Sequence, residues 1–253
     1  MKLKGKVAIV TGASRGLGKA IALGFAKEGA VVVVAARSEV ENPRLEGTIY
    51  KTVEEIKALG QKALPVKCDV TNEQSVAAMV KQAEKEFGPI DILVNNAGIA
   101  FVNSITETPL KLWELVLRVN LVGAFLCSKE VIPGMIKQRH GSVINISSLA
   151  ANDRGGGIVP TGVAYGVSKA GLDRFTWGLA SEVGQYNIAV NAIKPLRVVD
   201  TEGQRFWLPN ADKSQWQTPD KMVACAIFLA QQDAKVVTGT VATDDELFAW
   251  HGL

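Results

Sequence analysis

Residues 7–18 read VAIVTGASRGLG, a short apolar run followed by a glycine-rich turn. Residues 7–10 are β-prone and the residues after Gly18 follow a helical pattern, so the turn joins a buried strand to a helix. Glycine lets the backbone turn tightly and lets an anion approach the helix N-terminus, where amide groups and the helix dipole favour negative charge. The spacing Gly-x-x-x-Gly-x-Gly differs from the usual dinucleotide fingerprint, so an ordinary strand–helix turn remains the alternative.

The rest of the chain repeats this alternation of strand and helix. Apolar runs without strict alternation are typical of parallel strands that helices cover on both faces. The pattern predicts an α/β fold, a Rossmann-type doubly wound parallel sheet of about seven strands flanked by helices, in one domain over residues 1–253. The predicted strands are 7–10, 31–35, 63–67, 90–94, 142–146, 188–193 and 240–243, and the predicted helices are 16–28, 50–59, 73–86, 109–138, 163–184 and 219–231.

Composition and charge exclude several classes of function. The 253 residues are 47% hydrophobic and carry a formal charge of +3, which gives no general field for nucleic acid or an anionic membrane. The longest apolar run, residues 30–36, is too short to span a bilayer, and the first residues show no cleavable signal pattern. Cys68, Cys127 and Cys225 lack metal or disulfide spacing, which favours buried thiols in a reducing interior. We therefore expect a cytoplasmic protein with no metal site and with neither a nucleic-acid nor a membrane partner.

Tyr165-Gly166-Val167-Ser168-Lys169 is the clearest indication of chemistry. In a helix, Tyr165 and Lys169 lie one turn apart on one face. An ammonium group beside the phenol favours the phenolate and is expected to lower the tyrosine pKa from about 10, which makes tyrosine a useful general acid/base. Because Tyr-x-x-x-Lys is a common spacing, this interpretation needs support from the rest of the chain.

Two basic residues indicate which nucleotide the glycine turn would bind. Arg37 follows the second strand, and Arg15 lies within the turn itself. A guanidinium pairs well with a phosphate, and a basic residue at this strand end accommodates the 2′-phosphate of NADP, whereas an acidic residue holds the ribose of NAD. The sequence therefore favours NADP(H) over NAD, with the alternative that Arg37 is a solvated charge and Glu39 takes the ribose. Residues 39–49 form a long connection beside this region, either a flap near the adenosine end or a partner surface.

Polar side chains follow other strands at the same edge of the predicted sheet. Asp69, after the third strand, is either an acceptor for the adenine amino group or a helix N-terminal acid. The segment Asn95-Asn96-Ala97-Gly98, after the fourth strand, either meets a ligand lying across the sheet or uses its amides to staple neighbouring strands. Asn120 lies inside an apolar helical pattern and needs hydrogen-bond partners. It either bridges backbone groups at a helix distortion or holds a water for proton transfer.

Two loops are expected to cover this edge. Ser148 closes the fifth strand, where its hydroxyl either donates to a substrate carbonyl or satisfies local backbone groups. Residues 149–164 contain three consecutive glycines and a proline, which is typical of a mobile loop over a site. Residues 196–218 carry clustered aromatic side chains that indicate a lid or an apolar pocket wall, or else an oligomer contact: Phe206, Trp207 and Trp216.

Together these motifs resemble the short-chain dehydrogenase/reductase family over residues 6–243. The resemblance rests on an ordered set, namely TGASRGLG, the NNAG segment at 95–98, Asn120, the Ser147-Ser148 strand end and YGVSK. It implies that Tyr165 is the general acid/base and that Lys169 lowers its pKa and holds the nicotinamide ribose. It also implies that Ser148 orients and polarises the substrate carbonyl, while Asn120 maintains a water-linked proton path to Lys169.

The resemblance further implies a nicotinamide cofactor and a homo-oligomer, a dimer or a homotetramer, packed through helices 109–138 and 163–184. The residues that match the family's cofactor contacts are Gly12, Ser14, Arg15, Gly16, Leu17, Gly18, Arg37, Asp69, Val70, Asn96, Ala97, Gly98, Tyr165, Lys169 and Pro195.

Three departures from the family pattern concern the flanking loops. Leu196 follows Pro195 where the family has Pro-Gly, and Thr201 fits the usual nicotinamide-amide contact only with a shift of one residue. Residues 244–247, DDEL, replace the usual Asp-Gly-Gly. The insert around residues 43–50 resembles that of the hydroxysteroid dehydrogenase-like subgroup.

These observations predict an NADP-dependent oxidoreductase that interconverts a ketone or aldehyde with an alcohol, a carbonyl reductase with a small and hydrophobic substrate. The alternative is a nucleotide-sensing or scaffold protein that kept the fold and cofactor pocket but lost turnover.

Overall fold

A seven-stranded parallel sheet forms the centre of the molecule. The computed structural model describes residues 1–152 and 162–253, so most of the predicted loop over residues 149–164 lies outside the described residues. The prediction of the sheet is confirmed, with strand ends that differ by at most one or two residues. The strands are β1 Val7–Thr11, β2 Val31–Ala36, β3 Ala63–Lys67, β4 Ile92–Asn95, β5 Gly141–Ile146, β6 Ile188–Lys194 and β7 Val241–Thr243.

Helices flank this sheet, and most of them lie where the sequence predicts. Two short helices were not predicted: α7, which is only six residues long, and α9, which is eight residues long and has an acidic first turn after its N-cap Thr243. Local hydrophobic periodicity cannot reveal helices this short. The helices are α1 Gly16–Lys27, α2 Ile49–Ala58, α3 Glu73–Phe87, α4 Leu110–Leu117, α5 Gly123–Gln138, α6 Val163–Val183, α7 Glu202–Trp207, α8 Asp220–Ala230 and α9 Asp244–His251.

The sheet is buried on both faces, which explains the strands' continuous apolar sequences. Val10 of β1 packs into a cluster with Phe25 of α1, on the face that α8 and α9 also cover. The adjacent Ile9 points the other way and packs into a second cluster with Met135 of α5. Strands β1 to β6 therefore contribute apolar side chains to two separate cores.

In the strand order β3-β2-β1-β4-β5-β6-β7, successive strands are added in one direction from β1 to β3 and in the opposite direction from β4 to β7. The switch point lies between β1 and β4. In open parallel sheets, ligands bind outside the carboxyl ends of the strands at such a switch point. The glycine turn follows Thr11 at the end of β1, and the asparagine segment follows the end of β4 beside it. The topology thus brings the predicted site residues to one edge of the sheet.

The predicted helix 109–138 is interrupted in its middle. Between α4 and α5, residues Arg118–Val122 form a π-helical segment that contains the buried Asn120. The Asn120 side chain accepts a hydrogen bond from the Ile99 amide at 2.8 Å and donates to the Ile99 carbonyl at 2.9 Å and to the Ser168 hydroxyl at 3.0 Å. The interpretation that Asn120 bridges backbone groups at a helix distortion is confirmed, and π-helical segments often occur at functional sites.

Residues 196–218 follow β6, and the end of this segment lies next to its beginning. The Asp200 amide donates to the Gln217 carbonyl at 2.8 Å, and the Gln217 amide donates to the Val198 carbonyl at 2.9 Å. These bonds close the base of the segment, and α7 lies within it with Thr201 as its N-cap.

Over residues 1–152 and 162–253, none of the helices combines the length and the apolar character that crossing a bilayer would require.

The Asn120 contacts lead to a prediction about stability. Asn120→Ala leaves the half-buried amide and carbonyl of Ile99 without their side-chain partner, so we expect the free energy of unfolding to fall by about 1–3 kcal/mol. Urea unfolding measures this change, and Asn210→Ala, an exposed asparagine in the 196–218 segment, is the matched control. An Asn120→Ala protein as stable as the control variant would contradict the bridging role.

Candidate active site

A cavity of about 1150 Å³ follows the carboxyl edge of the sheet from the end of β3 to the end of β6 and reaches the first two turns of α6. Pockets for small ligands usually measure roughly 300–1000 Å³, so this cavity has room for an extended ligand. Most of the predicted site residues line it: Gly12, Ser14, Arg15, Leu17, Gly18, Arg37, Asp69, Val70, Asn96, Ala97, Gly98, Ser148, Tyr165, Lys169 and Pro195.

Two predicted site residues do not line the cavity. Asn120 lies behind Gly98, where a Cβ built on the glycine would be 3.5 Å from the asparagine oxygen and 3.8 Å from the Lys169 ammonium nitrogen. Gly16 turns its amide toward the Glu202 carboxylate, which accepts a hydrogen bond from it at 3.0 Å. Asn120 can therefore act on the site only through its neighbours, and Gly16 meets a side chain of the 196–218 segment.

Ser148, Tyr165 and Lys169 meet at the inner end of the cavity. Ser148 is the second residue after β5; its hydroxyl accepts a hydrogen bond from the Ala150 amide at 3.2 Å and lies close enough to the Tyr165 phenol to lower the pKa of that group. The Lys169 ammonium group lies 5.6 Å from the centre of the Tyr165 ring and donates to the Ile146 carbonyl at 2.7 Å. A hydroxyl, a phenol and a buried ammonium group thus converge at one point, as the sequence predicts.

The two ionisable groups of this trio are both displaced toward their neutral forms. Burial raises the pKa of Tyr165, and the hydrogen bond from Ser148 offsets part of that rise. Burial also lowers the pKa of Lys169 to about 8, against the opposing effect of the Asp173 carboxylate. The prediction that the tyrosine pKa is lowered is therefore wrong for this structure, because the effect of removal from water outweighs the opposing effect of the Ser148 hydroxyl. At neutral pH the phenol keeps its proton, and Lys169 is the ammonium form.

The glycine turn packs closely against the segment after β4, at distances that only glycine permits. Gly12 has φ = 66°, and a Cβ there would lie 2.9 Å from the Ala97 Cα. A Cβ on Gly18 would lie 2.3 Å from the Asn96 side-chain nitrogen, which donates to the Thr11 carbonyl at 2.8 Å. The result is a shallow cradle at the N-terminus of α1, a position that favours anions. This cradle fits the phosphates of the dinucleotide that the sequence predicts.

The asparagines after β4 have different roles. The Asn95 amide is buried and donates to the Asn145 side chain at 2.9 Å and to the Ser128 hydroxyl at 3.3 Å. It therefore staples β4 to β5 and to α5, as the structural alternative predicts. Asn96 lines the cavity, but its amide group is engaged by the glycine turn. The rest of the Asn96 side chain, together with Ala97 and Gly98, remains available to contact a ligand in the cavity.

The insert at residues 39–49 folds onto the glycine turn. The Arg15 guanidinium donates to the Glu46 carbonyl at 2.8 Å and to the Gly47 carbonyl at 2.7 Å. Gly47 has φ = 111°, and a Cβ there would lie 2.5 Å from the Ser14 carbonyl oxygen. Of the two interpretations of the insert, the flap near the adenosine end agrees with these contacts. Arg15 joins the flap to the turn.

The charged side chains near the ends of β2 and β3 form two separate groups, one with Arg37 and Asp69 and the other with Glu39 and Lys67. Arg37 is exposed and lines the cavity, near enough to Asp69 to influence its charge. The Asp69 carboxylate accepts hydrogen bonds from the Thr71 amide at 2.9 Å and the Thr71 hydroxyl at 2.8 Å. Glu39 instead pairs with the Lys67 ammonium group at 2.6 Å and accepts from the Tyr50 hydroxyl at 3.1 Å. Glu39 does not line the cavity, and its carboxylate is engaged by Lys67 and Tyr50.

The 196–218 segment forms the outer wall of the cavity. Trp207 and Leu208 line it together with Thr201, which lies against Gly16. Phe206 packs edge-on against Trp207, with ring centres 5.3 Å apart, and does not line the cavity. The sequence signal of clustered aromatics therefore indicated the correct segment. Nothing in the sequence pattern pointed to Glu202.

The described parts of the chain contain no group of three or more His, Cys, Asp or Glu side chains arranged to hold a metal ion. All three cysteines are buried and unpaired with one another, as the sequence analysis expected.

Comparisons with known proteins agree with this geometry. A family model described as short chain dehydrogenase matches residues 6–211. The chain is 38% identical to hydroxysteroid dehydrogenase-like protein 2 of Homo sapiens over 253 residues, 100% of this chain and 59% of that protein. The chain thus spans about half to three fifths of the length of the curated relatives it matches.

Solved structures are similar over the whole fold. A dehydrogenase from Xanthomonas campestris superimposes with a TM-score of 0.89 at 33% identity, covering 100% of this chain and 92% of the other. A short-chain type dehydrogenase/reductase from Mycobacterium marinum gives 0.82 at 31% identity, with coverages of 95% and 94%. The family resemblance inferred from the motifs is therefore confirmed: the chain belongs to the short-chain dehydrogenase/reductase family of nicotinamide-dependent oxidoreductases.

Proposed function

We propose that this protein is an NADP-dependent carbonyl reductase, which interconverts a hydrophobic ketone or aldehyde with an alcohol. The observation that carries the proposal is that Ser148, Tyr165 and the buried Lys169 line the same end of the cavity, with the Lys169 ammonium group 5.6 Å from the centre of the Tyr165 ring. Reduction of a carbonyl builds negative charge on its oxygen, which requires a proton donor and a fixed hydrogen bond next to it. This trio supplies both.

Each residue has a distinct part in the proposed reaction. Ser148 donates a hydrogen bond to the substrate oxygen and orients it toward Tyr165. Tyr165 donates its phenolic proton to that oxygen, and its raised pKa keeps the proton in place until charge develops. Lys169, as the ammonium form, stabilises the phenolate that remains. In the opposite direction Tyr165 accepts the alcohol proton, so alcohol oxidation is expected to need a higher pH than carbonyl reduction.

The cofactor cradle is made by the glycine turn, the cavity-lining backbone of Asn96 to Gly98, and Lys169. When bound, a nicotinamide cofactor supplies or accepts the hydride in this reaction. The residues of the chain orient it, exclude water and handle the proton. Asn120 contributes by fixing the Ile99 backbone and Ser168 next to Lys169.

NADP(H) is proposed over NAD(H) because of the charges at the end of β2. Arg37 lines the cavity as an exposed guanidinium, which suits a 2′-phosphate. Glu39, the candidate for a ribose hydroxyl, is engaged by Lys67 and Tyr50. Arg15 reinforces the positive potential while its own donors hold the flap.

The proposed substrate is apolar. The cavity beside Ser148 has apolar and aromatic walls, and these come from both sides of the entrance: Phe101, Val102, Leu149, Trp207 and Leu208. The human relative is named hydroxysteroid dehydrogenase-like, which makes a polycyclic ketone a reasonable member of the test panel. We therefore suggest cyclohexanone, acetophenone and a steroid ketone as probes.

A homo-oligomer and a single domain over residues 1–253 complete the proposal. Support for the oligomer comes from exposed apolar side chains on α4, α5 and α6: Leu110, Phe125, Val163, Val167 and Trp177. Such side chains are more frequent at interfaces than on free surfaces. The cytoplasmic location stays a prediction from the sequence.

A nucleotide-sensing protein is the second candidate, and one contact favours it. The Glu202 carboxylate accepts a hydrogen bond from the Gly16 amide at the N-terminus of α1, where an anion of the cofactor is expected. A protein in which this contact reports nucleotide binding would respond to NADPH without turning over a carbonyl. The complete Ser148, Tyr165 and Lys169 trio favours the enzyme.

The first prediction concerns the proton donor. Tyr165→Phe removes the phenolic hydroxyl but keeps the ring, so we expect kcat for ketone reduction to fall by about 10²–10⁴-fold. NADPH oxidation with the ketone panel measures this change, and Tyr186→Phe at the far end of α6 is the matched control. Equal rates for Tyr165→Phe and wild type would exclude the mechanism. NADPH binding without turnover in the wild type would favour the sensor.

A second prediction concerns the choice of cofactor. Arg37→Asp removes a charged hydrogen-bond donor, worth about 1.5–3 kcal/mol, and should weaken NADPH binding relative to NADH by roughly tenfold to a hundredfold. Binding titrations followed by nucleotide fluorescence give both dissociation constants. Arg44→Asp makes the same charge change in the adjacent insert and should leave the ratio near that of the wild type. An unchanged ratio in Arg37→Asp would show that another residue selects the nucleotide.

A third prediction concerns the 196–218 segment. Glu202→Gln removes a negative charge at the N-terminus of α1 while preserving the size of the side chain, so NADPH should bind about twofold to fivefold tighter. The same titration measures the effect, and Glu114→Gln on the exposed side of α4 controls for the change in net charge. Weaker binding in Glu202→Gln would mean that the carboxylate assists the nucleotide instead of competing with it.

A further inference from the structure

A ladder of three functional groups runs down one face of α6. Tyr165, Lys169 and Asp173 are spaced four residues apart, so each lies about one turn from the next. Lys169 is 4% exposed and Asp173 is 5% exposed. Charged side chains are rarely buried to this degree unless they are paired, so the partners of Asp173 need an explanation.

The Asp173 carboxylate connects α6 to the ends of two strands. One oxygen accepts a hydrogen bond from the Ser147 hydroxyl at 2.5 Å, and the other lies 2.6 Å from the Lys194 ammonium nitrogen. Lys194, the last residue of β6, also donates to the Asn152 side chain at 2.5 Å. Ser147 immediately precedes Ser148, so the network joins the backbone that carries Ser148 to the helix that carries Tyr165.

Stability alone is a weak reason for a buried ion pair. Removing two charges from water is costly, and a well-packed apolar pair of similar size often stabilises a protein as much or more. An apolar pair, however, cannot accept the Ser147 hydrogen bond. It also cannot put a negative charge one turn from Lys169. These two effects are what the charged pair adds to the site.

The second effect is electrostatic. Burial lowers the pKa of Lys169 to about 8, and the negative charge of Asp173 raises it. Without that charge, Lys169 would lose its proton at a lower pH and would be neutral over more of the working range. The groups that face the ammonium are, by element, Tyr165 and Asp173 on α6, the Ile146 carbonyl on β5 and Asn120 in the π-helical segment, with Lys194 of β6 beyond Asp173.

We propose that Asp173, partnered by Lys194, is a positioning residue of the active site: it fixes the Ser147-Ser148 strand end against α6 and places a carboxylate one helical turn from Lys169. The inference rests on the proposed function, because it assigns Asp173 a role through Ser148 and Lys169. Lys194 has a supporting role, since its ammonium group is the ion-pair partner of the buried Asp173 carboxylate.

The experiment compares a single and a double variant. In Asp173→Asn we expect kcat/KM for acetophenone reduction to fall by about tenfold to a hundredfold, the range seen when partners that orient functional groups are removed. The high-pH limb of the profile, where Lys169 loses its proton, should move to lower pH. In Asp173→Leu/Lys194→Met the apolar pair should restore thermal stability, yet both the lower rate and the shifted limb should remain.

Two controls separate a positioning role from a structural one. Lys6→Met breaks the Lys6–Asp91 ion pair at the opposite end of the strands and should alter stability without moving the pH profile. In the cofactor-free protein, the NMR titration of the Lys169 side-chain nitrogen should show a lower pKa in Asp173→Asn than in wild type. Assignment of that signal comes from its loss in Lys169→Met.

The outcomes distinguish this inference from the proposed function. If the double variant recovers both stability and the wild-type rate and pH profile, the pair is only structural and the inference is overturned. An unchanged Lys169 titration in folded Asp173→Asn overturns it too, and needs no activity. If Tyr165→Phe is as active as wild type, the proposed function fails, whatever the titration shows for Asp173.

Discussion

The site depends on the hydrogen bonds of Thr11, which connect the carboxyl ends of β1 and β4. The Thr11 hydroxyl donates to the Val94 carbonyl at 3.1 Å and accepts from the amides of Asn96 at 3.0 Å and Ala97 at 3.1 Å. A parallel sheet that is covered on both faces has no water to satisfy these groups, so side chains must do so. The contacts bring the asparagine segment so close to the glycine turn that only glycine fits at Gly12 and Gly18. The anion cradle is therefore a consequence of how two strands end.

Burial has a second consequence at the other end of the cavity. The groups that would handle the proton sit where the sheet meets α6, and removal from water pushes both toward neutrality. For Tyr165 this keeps a proton available for donation. For Lys169 the same effect would remove the charge it needs, and Asp173 one turn further along the helix opposes that loss. On this face of α6, the buried Asp173 carboxylate thus opposes the effect of burial on the pKa of Lys169.

Much of this arrangement could be predicted from local sequence, because it depends on local chemistry. The seven strands and most helices follow from apolar runs and helical periodicity. The set of residues along the cavity follows from a topological rule, that parallel strands end at one edge. The prediction for Asn120 was also sound, since a buried amide in an apolar helix must find partners. The lowered tyrosine pKa was wrong, since the i, i+4 spacing describes the neighbouring charge and contains no information about burial.

The sequence by itself determined the family, the sheet, the glycine turn and the identity of the residues at the inner end of the cavity, because each is encoded in short motifs or in a period of apolar residues. Only the tertiary structure decided which of those residues meet. It directed Arg15 to the insert and Glu39 to Lys67, brought Glu202 to the Gly16 amide, and paired Asp173 with Lys194. These contacts join residues far apart in the chain, and their strength depends on burial and distance, neither of which a linear pattern contains.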